Sequence, residues 1–184
     1  MAFLVRPLRA ADARAVAEVM IAAWRAAYRG MVPDTELAAM DLDSDADRIR
    51  AQWTVHAGPD GPWAVVACTA GTVAGFATWG PYRPQPNHAE VGAGTPATGS
   101  RAVGEVYGMC VHPQHWGTGA GHALMTEALD TLGRDGFAPV RLWVLTGNLR
   151  ARQFYERAGF HADGASALLH AGEGRVPELR YTRD

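Results

Sequence analysis

The sequence predicts an α/β (α+β) fold in which helices cover both faces of a central mixed sheet of six to seven strands. Two observations support this prediction. After a helical N-terminal region, segments with strand patterns alternate with segments of helical periodicity as far as the C-terminus. A chain of 184 residues with 48% hydrophobic and 20% charged residues has the size and composition of one globular domain. We therefore expect residues 1–184 to form a single domain.

The N-terminal region is predicted to contain one strand followed by a helix. Residues 3–7 form the strand, and Asp12 is expected to cap the helix. Gly30 ends this helix. Its apolar residues recur at the i, i+3, i+4, i+7 spacing of one buried stripe, and they are Val16, Val19, Met20, Ala23, Trp24 and Ala27.

A second helical stretch and then a hairpin follow. Pro33 opens a short helical turn, and Ser44 or Asp45 is expected to cap the next helix. A tight turn at Ala70 and Gly71 joins two strand patterns into a hairpin. The predicted strands from here on are residues 63–69, 73–79, 103–111 and 139–145, a strand that begins at Phe160, and residues 177–182.

Two helices and one long loop complete the prediction. Residues 81–102 are rich in Pro, Gly, Asn, Thr and Ser, and loops longer than ~12–15 residues in a compact domain are usually functional or mobile. One helix carries Leu124, Ala128 and Leu132. A shorter helix starts at Asn148 and stops at Gly159.

Composition excludes several classes of protein. A net charge of −2 gives no electrostatic footprint for nucleic acid. No run approaches the ~18 apolar residues of a membrane span, and the N-terminus lacks a signal-peptide pattern, so we expect a cytoplasmic protein without a membrane partner. Cys68 and Cys110 cannot form a disulfide framework. The seven histidines show no ligand spacing, so no metal is predicted.

The segment that indicates a ligand-binding site most clearly is a strand followed by a glycine-rich turn and a helix. Gly117, Gly119 and Gly121 precede this helix, and glycines let a backbone approach a ligand closely. The free N–H groups of a first helical turn then form an anion site, for which a diphosphate is a natural ligand. The Gly-Lys-Ser/Thr ending of a Walker loop and the G-x-G-x-x-G spacing of a dinucleotide fold are both absent. A glycine-rich turn without a ligand is the alternative.

With the glycine turn preceded by Val111-His-Pro113, the chain resembles the GNAT superfamily of N-acetyltransferases. The family pattern [Gln/Arg]-x-x-Gly-x-[Gly/Ala] falls on residues 116–121, with Trp116 at the Gln/Arg position. A register that starts two residues earlier, at Gln114, satisfies the pattern formally, and the sequence alone does not choose between the two registers. Residues 148–160 resemble the family's Asn-x-x-Ala-x-x-Phe-Tyr-x-x-x-Gly-Phe segment.

The resemblance implies acetyl-CoA as the co-substrate, bound where the central sheet is splayed. The diphosphate would accept hydrogen bonds from the backbone N–H groups of Gly117, Thr118, Gly119, Ala120, Gly121 and His122. The pantetheine arm would pair with Met109, Cys110 and Val111 as an added strand, and Gly108 would mark a bulge there. Asn148 would contact the pantetheine amide, although a helix cap alone also explains this residue.

The resemblance also implies catalytic residues. Tyr155 would protonate the departing thiolate, and its alternative is a core aromatic residue beside Phe154. Glu105 would deprotonate the amine, directly or through water, and its alternative is an ion-pair partner at a strand end. Cys110 is not needed as a nucleophile, because direct transfer forms no acyl-enzyme.

The acceptor is expected to be a primary amine of a small molecule or a peptide. It would be framed by Trp24, Tyr28, Trp79, Tyr82 and the 81–102 loop. A homodimer is common among relatives. The alternative function is a degenerate acyl-CoA-binding domain that acts as a sensor or partner module without turnover.

Overall fold

The computed structural model describes residues 2–56, 63–83, 102–172 and 174–184. Its helices are α1 (Ala13–Ala27), α2 (Asp34–Ala39), α3 (Leu42–His56), α4 (Ala120–Arg134) and α5 (Leu149–Arg157). Its strands are β1 (Leu4–Pro7), β2 (Trp63–Thr69), β3 (Thr72–Pro81), β4 (Gly104–Val111), β5 (Val140–Leu145), β6 (His161–Ala171) and β7 (Gly174–Arg183).

The seven strands of the described residues form one mixed sheet in the order β1-β2-β3-β4-β5-β7-β6. Neighbouring strands are antiparallel except β4 and β5, which are parallel. The parallel pairing covers only Gly104 with Val140 and Glu105 with Arg141. Beyond this point the two strands separate, so the predicted splayed sheet is confirmed.

Helices lie on both faces of the sheet, as the alternation of side chains along β2 shows. Val65 and Ala67 pack in the same buried cluster as Leu124 of α4. Val66 and Cys68 pack in a second cluster with Val16 of α1. Because successive side chains of a strand point to opposite faces, α4 and α1 cover opposite faces of the sheet.

Two of the three predicted helix caps differ from the structure in detail, and the third, Asn148, agrees with it. α3 begins at Leu42, and the Asp41 carboxylate accepts hydrogen bonds from the backbone N–H and the hydroxyl of Ser44, both at 2.9 Å. Asp41 therefore holds the cap position that was predicted for Ser44 or Asp45. Asp12 precedes α1 but has helical backbone angles and makes no capping bond to it. Its carboxylate instead accepts from the N–H of Arg9 at 2.8 Å, because a 3-10 turn at Ala10–Asp12 starts the helix one turn earlier.

The strand predictions agree closely with the structure. The hairpin turn places both Ala70 and Gly71 at positive φ, 49° and 80°, as a two-residue hairpin connection prefers. In the pairing of β3 with β4, Tyr107 is skipped between Gly108 and Val106, so the predicted irregularity lies beside Gly108. Most of the predicted 81–102 loop lies outside the described residues.

Candidate active site

A cavity of about 330 Å³ opens where β4 and β5 separate. It is lined by residues of α1, β4, the glycine turn, β5, α5 and β7. On one side of β4, Met109, Cys110 and Val111 pair with β3. The opposite side of these residues has no ladder to β5, whose pairing stops at Glu105. All three line the cavity, so the backbone edge of β4 faces an open space of the size that ligands fill.

The glycine turn forms one end of this cavity. Gly117 and Gly119 have φ of +76° and +101°, and Gly119 is the N-cap of α4. A Cβ at either position would meet nothing within 4 Å, so the backbone angle selects glycine there, and crowding does not. The first N–H groups of α4, on Ala120, Gly121 and His122, have no partner inside the helix. Together with the helix dipole, these N–H groups stabilise an anion bound at the start of α4.

Not every residue of the turn faces the cavity. Gly117, Gly119, Gly121 and His122 line it, whereas Thr118 and Ala120 do not. The Thr118 hydroxyl donates to the carbonyl of His115 at 2.8 Å. Ala120 is fully buried. These two residues therefore fix the shape of the turn with their side chains, and only their backbone N–H groups can serve a ligand.

Trp116 connects the turn to the end of β4 and to α5. Its indole Nε1 donates to the carbonyl of Val111 at 2.7 Å. The Arg150 guanidinium lies over the Trp116 ring, 4.2 Å from its centre. Both residues line the cavity. A cation thus lies near the N-terminus of α4 although the turn itself carries Trp116 where the family pattern has Gln or Arg.

Tyr155 lies on α5 at the inner part of the cavity. It is 9% exposed, and its ring makes edge contacts with Phe154 and Phe160 at centroid distances of 5.4 and 6.2 Å. Burial raises the pKa of the Tyr155 hydroxyl well above its ordinary value, and the Cys110 thiol adds to the effect. The hydroxyl therefore carries its proton at neutral pH and can only donate or accept a hydrogen bond there as a neutral group.

Asn148 and Cys110 are two further polar residues of the motifs that line the cavity. The Asn148 side chain accepts from the N–H of Ala151 at 3.1 Å and so caps α5, and Asn148 also lines the cavity. Burial raises the pKa of the Cys110 thiol to about 12, although a hydrogen bond with Trp24 acts in the opposite direction. A thiol that keeps its proton is a poor nucleophile.

Glu105 lies at the other end of β4 and does not line the cavity. Its carboxyl group is buried, accepts from the backbone N–H of Arg83 at 2.9 Å and lies 3.6 Å from the Arg83 guanidinium. These contacts join Glu105 to Arg83, which does not line the cavity. Its role as a base stays a prediction.

The four aromatic residues expected around the acceptor separate into two pairs. Trp24 and Tyr28 line the cavity and make an edge-to-face contact with centroids 5.0 Å apart. Trp79 is 1% exposed and belongs to the main core cluster. The Tyr82 hydroxyl accepts from Arg180 at 3.2 Å. Neither of the second pair lines the cavity.

The structure adds one acidic residue that the motifs do not contain. Glu178 on β7 lines the cavity, is 8% exposed, and pairs with Leu145 of β5 in the strand register. Burial raises the pKa of its carboxyl group to about 7. The sequence signal was an acidic residue between apolar positions of the last strand, Val176 and Leu179. That signal becomes interpretable only once β7 is known to lie beside β5.

The described residues contain neither a candidate metal cluster nor a candidate membrane-spanning helix. No group of three or more His, Cys, Asp or Glu side chains there could hold a metal ion. Among the same residues, no helix has the length and apolar character needed to cross a membrane.

Sequence comparison finds acetyltransferases among the relatives of this chain. The profile of the acetyltransferase (GNAT) family matches residues 20–160. A mycothiol acetyltransferase of Thermobifida fusca is 31% identical over 152 residues, which cover 83% of this chain and 42% of that protein. The chain spans only 20% to 42% of the length of the curated mycothiol acetyltransferases that it matches.

Solved structures share the whole fold. A GCN5-related N-acetyltransferase from Kribbella flavida is 26% identical, with a TM-score of 0.67 over 99% of this chain and 97% of that one. A PaiA N-acetyltransferase from Thermoplasma acidophilum, solved in complex with coenzyme A, is 18% identical, with a TM-score of 0.65 over 98% of each chain. At 18% identity, the likeness concerns the fold alone.

Proposed function

Because the chain belongs to the acetyltransferase (GNAT) family, we propose that it transfers the acetyl group of acetyl-CoA directly to a primary amine of a small molecule or a peptide. The observation that carries this proposal is the cavity between the separated strands β4 and β5. The glycine turn, the open edge of β4 and Tyr155 all meet there. A cofactor with an anionic end, an amide-rich arm and a reactive thioester fits these three features in that order.

Acetyl-CoA would be bound mainly through the backbone. The N–H groups of residues 117–122 would donate to the diphosphate, since they begin a helix and the two positive-φ glycines leave open space beside them. Arg150 would add a positive charge from α5. The edge of Met109, Cys110 and Val111 would pair with the pantetheine arm as a further strand would. Asn148, already engaged as a cap, would approach the same arm.

Tyr155 would provide the proton for the leaving group. When bound, acetyl-CoA supplies the thioester whose carbonyl carbon the amine attacks. Tyr155 lines the cavity, and burial raises the pKa of its hydroxyl above an ordinary value that already keeps a phenol protonated at neutral pH. The hydroxyl would donate its proton to the sulfur as the C–S bond breaks. The protonated Cys110 thiol supports direct transfer, because it is not available as a thiolate nucleophile.

The acceptor enters the proposal as a chemical class. Trp24 and Tyr28 give the cavity an aromatic wall on the side of α1, which suits a small or moderately apolar amine. The relatives named mycothiol acetyltransferases are matched over less than half of their length. An amine related to mycothiol therefore belongs in a screen of acceptors and is not the proposed substrate. A cytoplasmic location, a homodimer and a single domain over residues 1–184 stay predictions.

A domain that binds acyl-CoA without turnover is the second candidate. The position of Glu105 outside the cavity favours it, because the base implied by the family resemblance is then missing from the site. The two candidates predict the same binding of coenzyme A and differ only in turnover.

A screen for thiol release separates the two candidates. The purified protein is incubated with acetyl-CoA and a panel of primary amines, and free thiol is measured together with the mass of each amine. We expect thiol release that depends on the amine and an acetylated product in equal amount. Binding of coenzyme A without amine-dependent thiol release over the whole panel would favour the binding domain. Release without an acetylated product would indicate thioester hydrolysis and contradict the proposed transfer.

A further inference from the structure

Glu178 is a buried carboxylate in the cavity that no motif of the family resemblance includes. It lies on β7, between β5 and β6, and its register partners are Leu145 and Ala167. Val176, two residues earlier on the same face of β7, packs in one buried cluster with Leu145, Trp24 and Tyr28. Side chains two residues apart on a strand share a face. Glu178 therefore faces α1 and the aromatic wall, as its place in the cavity lining also requires.

Tyr28 lines the same cavity as Glu178 and the predicted acid. Burial is the main cause that raises the pKa of the Tyr28 hydroxyl, and Cys110, Tyr155 and Glu178 each add to it in that order. Tyr155 is on α5, Cys110 on β4 and Glu178 on β7, so residues of three separate elements line the cavity together with Tyr28.

Glu178 shares the cavity with other titratable groups. The other titratable groups of the cavity lining are Tyr28, Cys110, His115, His122, Arg150 and Tyr155. On the same face of β7, Arg180 is held by Asp163 of β6 at 2.7 Å. Burial raises the pKa of Glu178 to about 7. A carboxyl group with this pKa can take and release a proton at the pH at which most enzymes work.

We propose that Glu178 accepts the proton of the acceptor's ammonium group and so is the general base of the reaction. This inference rests on the proposed acetyl transfer and names the base of the same site. One proton passes from the ammonium nitrogen to a carboxylate oxygen of Glu178 and then to solvent. The nitrogen lone pair forms the C–N bond, the C–S bond breaks, and the sulfur takes the Tyr155 proton. A second nitrogen proton restores Tyr155, so one proton is released per turnover.

The same carboxylate restricts the class of acceptor. An ammonium group between Glu178 and the rings of Trp24 and Tyr28 is stabilised by opposite charge and by the ring faces. A carboxylate next to the amine would come close to buried Glu178, and the repulsion between the two like charges would destabilise the bound acceptor. The preferred acceptor is therefore an alkyl or arylalkyl amine without an acidic group beside the nitrogen. 2-Phenylethylamine and phenylalanine differ by that carboxylate alone and form a matched pair of probes.

The test is the pH dependence of kcat/KM for Glu178→Gln with the best amine of the screen. In the unsubstituted protein, kcat/KM should fall below pH about 7 and stay level from there to the pKa of the amine. In Glu178→Gln no carboxylate takes the proton of the ammonium group, so only the neutral amine reacts. The level region should therefore vanish, and kcat/KM should rise with pH up to the pKa of the amine. Activity at neutral pH should fall by about 10²–10⁴-fold. Glu18→Gln is the matched control, since that side chain is 56% exposed on α1, and its profile should be unchanged.

The outcomes separate this inference from the proposed function. Coenzyme A binding should be the same in both variants. If Glu178→Gln keeps the level region and the rate, Glu178 is not the base, although acetyl transfer stands. If Glu105→Gln instead removes the level region, the base is Glu105. Phenylalanine accepted as well as 2-phenylethylamine would contradict the inferred acceptor class. Loss of coenzyme A binding in the unsubstituted protein would overturn the proposed function itself.

A stability measurement tests the state of Glu178 without any turnover. Its pKa is raised on folding, so the folded protein binds this proton more tightly than the unfolded chain does. The stabilisation is complete below the unfolded pKa and is lost as the pH rises through about 7. The Tm of the unsubstituted protein should therefore fall between pH 6 and pH 8 relative to Glu178→Gln. Parallel Tm curves for the two proteins would contradict the burial of an ionisable carboxyl group there.

Discussion

At the scale of single residues, burial acts on two proton-carrying side chains of the cavity in the same direction. It raises the pKa of the Tyr155 hydroxyl, which is already protonated at neutral pH at its ordinary pKa. It raises the pKa of Glu178 only to about 7, where the carboxyl group exchanges its proton readily. One environment thus favours a donor and an acceptor with different roles, as acid–base catalysis of amine acetylation requires.

The Tyr155→Phe variant tests the donor. Removal of the hydroxyl should lower kcat by about 10²–10⁴-fold if it protonates the leaving sulfur. The affinity for coenzyme A should be nearly unchanged, because the phenyl ring keeps its contacts with Phe154 and Phe160. Steady-state kinetics and calorimetry measure the two effects separately.

Tyr107→Phe is the matched control for that experiment. The Tyr107 hydroxyl donates to the carbonyl of Pro81 at 2.7 Å, and Tyr107 does not line the cavity. This variant loses one hydroxyl and should keep its turnover. A Tyr155→Phe enzyme as fast as the Tyr107→Phe control would remove Tyr155 from the mechanism.

The sequence predicts Tyr155 and misses Glu178 for a physical reason. Tyr155 follows Asn148 by seven residues, so both lie on one face of a helix, and local spacing is sufficient to place them together. Glu178 reaches the cavity only because β7 inserts between β5 and β6. That long-range pairing leaves no local periodicity in the sequence. Trp79, expected beside the acceptor, is instead a core residue, because β3 turns it toward α4.

At the scale of elements, the first turn of α4 is the part of the molecule that its local sequence determines most strongly. Gly119 has φ of +101°, a backbone angle that residues with a side chain rarely adopt. The residues that follow begin α4, and Gly121 and His122 among them line the cavity. The glycine spacing predicted this turn, since no other residue type suits such a backbone.

Substitution of this glycine should lower both the affinity for the ligand and the stability of the fold. Gly119→Ala strains the turn and should lower the affinity for coenzyme A about tenfold or more, while the strain costs about 1–2 kcal/mol of stability. Gly133→Ala is the control within the same helix, because its Cβ would meet nothing within 4 Å. The control should be stabilised by about 0.5–1 kcal/mol and bind normally. Equal affinities in the two variants would contradict the anion site at the turn.

Helix starts were harder to predict than strands. Asp41, Ser44 and Asp45 are all good cap residues within five positions. The choice among them depends on where α3 packs, and the structure assigns the cap to Asp41. Strand limits followed from continuous apolar runs, so that β2 was predicted residue for residue.

At the scale of the whole molecule, the site exists because the sheet is incomplete. β4 and β5 share only two register pairs, and the rest of β4 has a ladder on one side alone. The mixed sheet was predicted from the alternation of strand and helix patterns, and its separation from the family resemblance. The strand order β1-β2-β3-β4-β5-β7-β6 was not, because the reversal of the last two strands depends on which edge of β5 remains free.

The central claim is that the separated strands and the first turn of α4 together bind the thioester substrate. Calorimetric titration of the purified protein with acetyl-CoA tests this claim most directly. We predict saturable binding of one molecule per chain, together with a higher Tm in the presence of acetyl-CoA, since a ligand that binds only the folded state stabilises it. No heat of binding and no change in Tm at millimolar acetyl-CoA would contradict the claim.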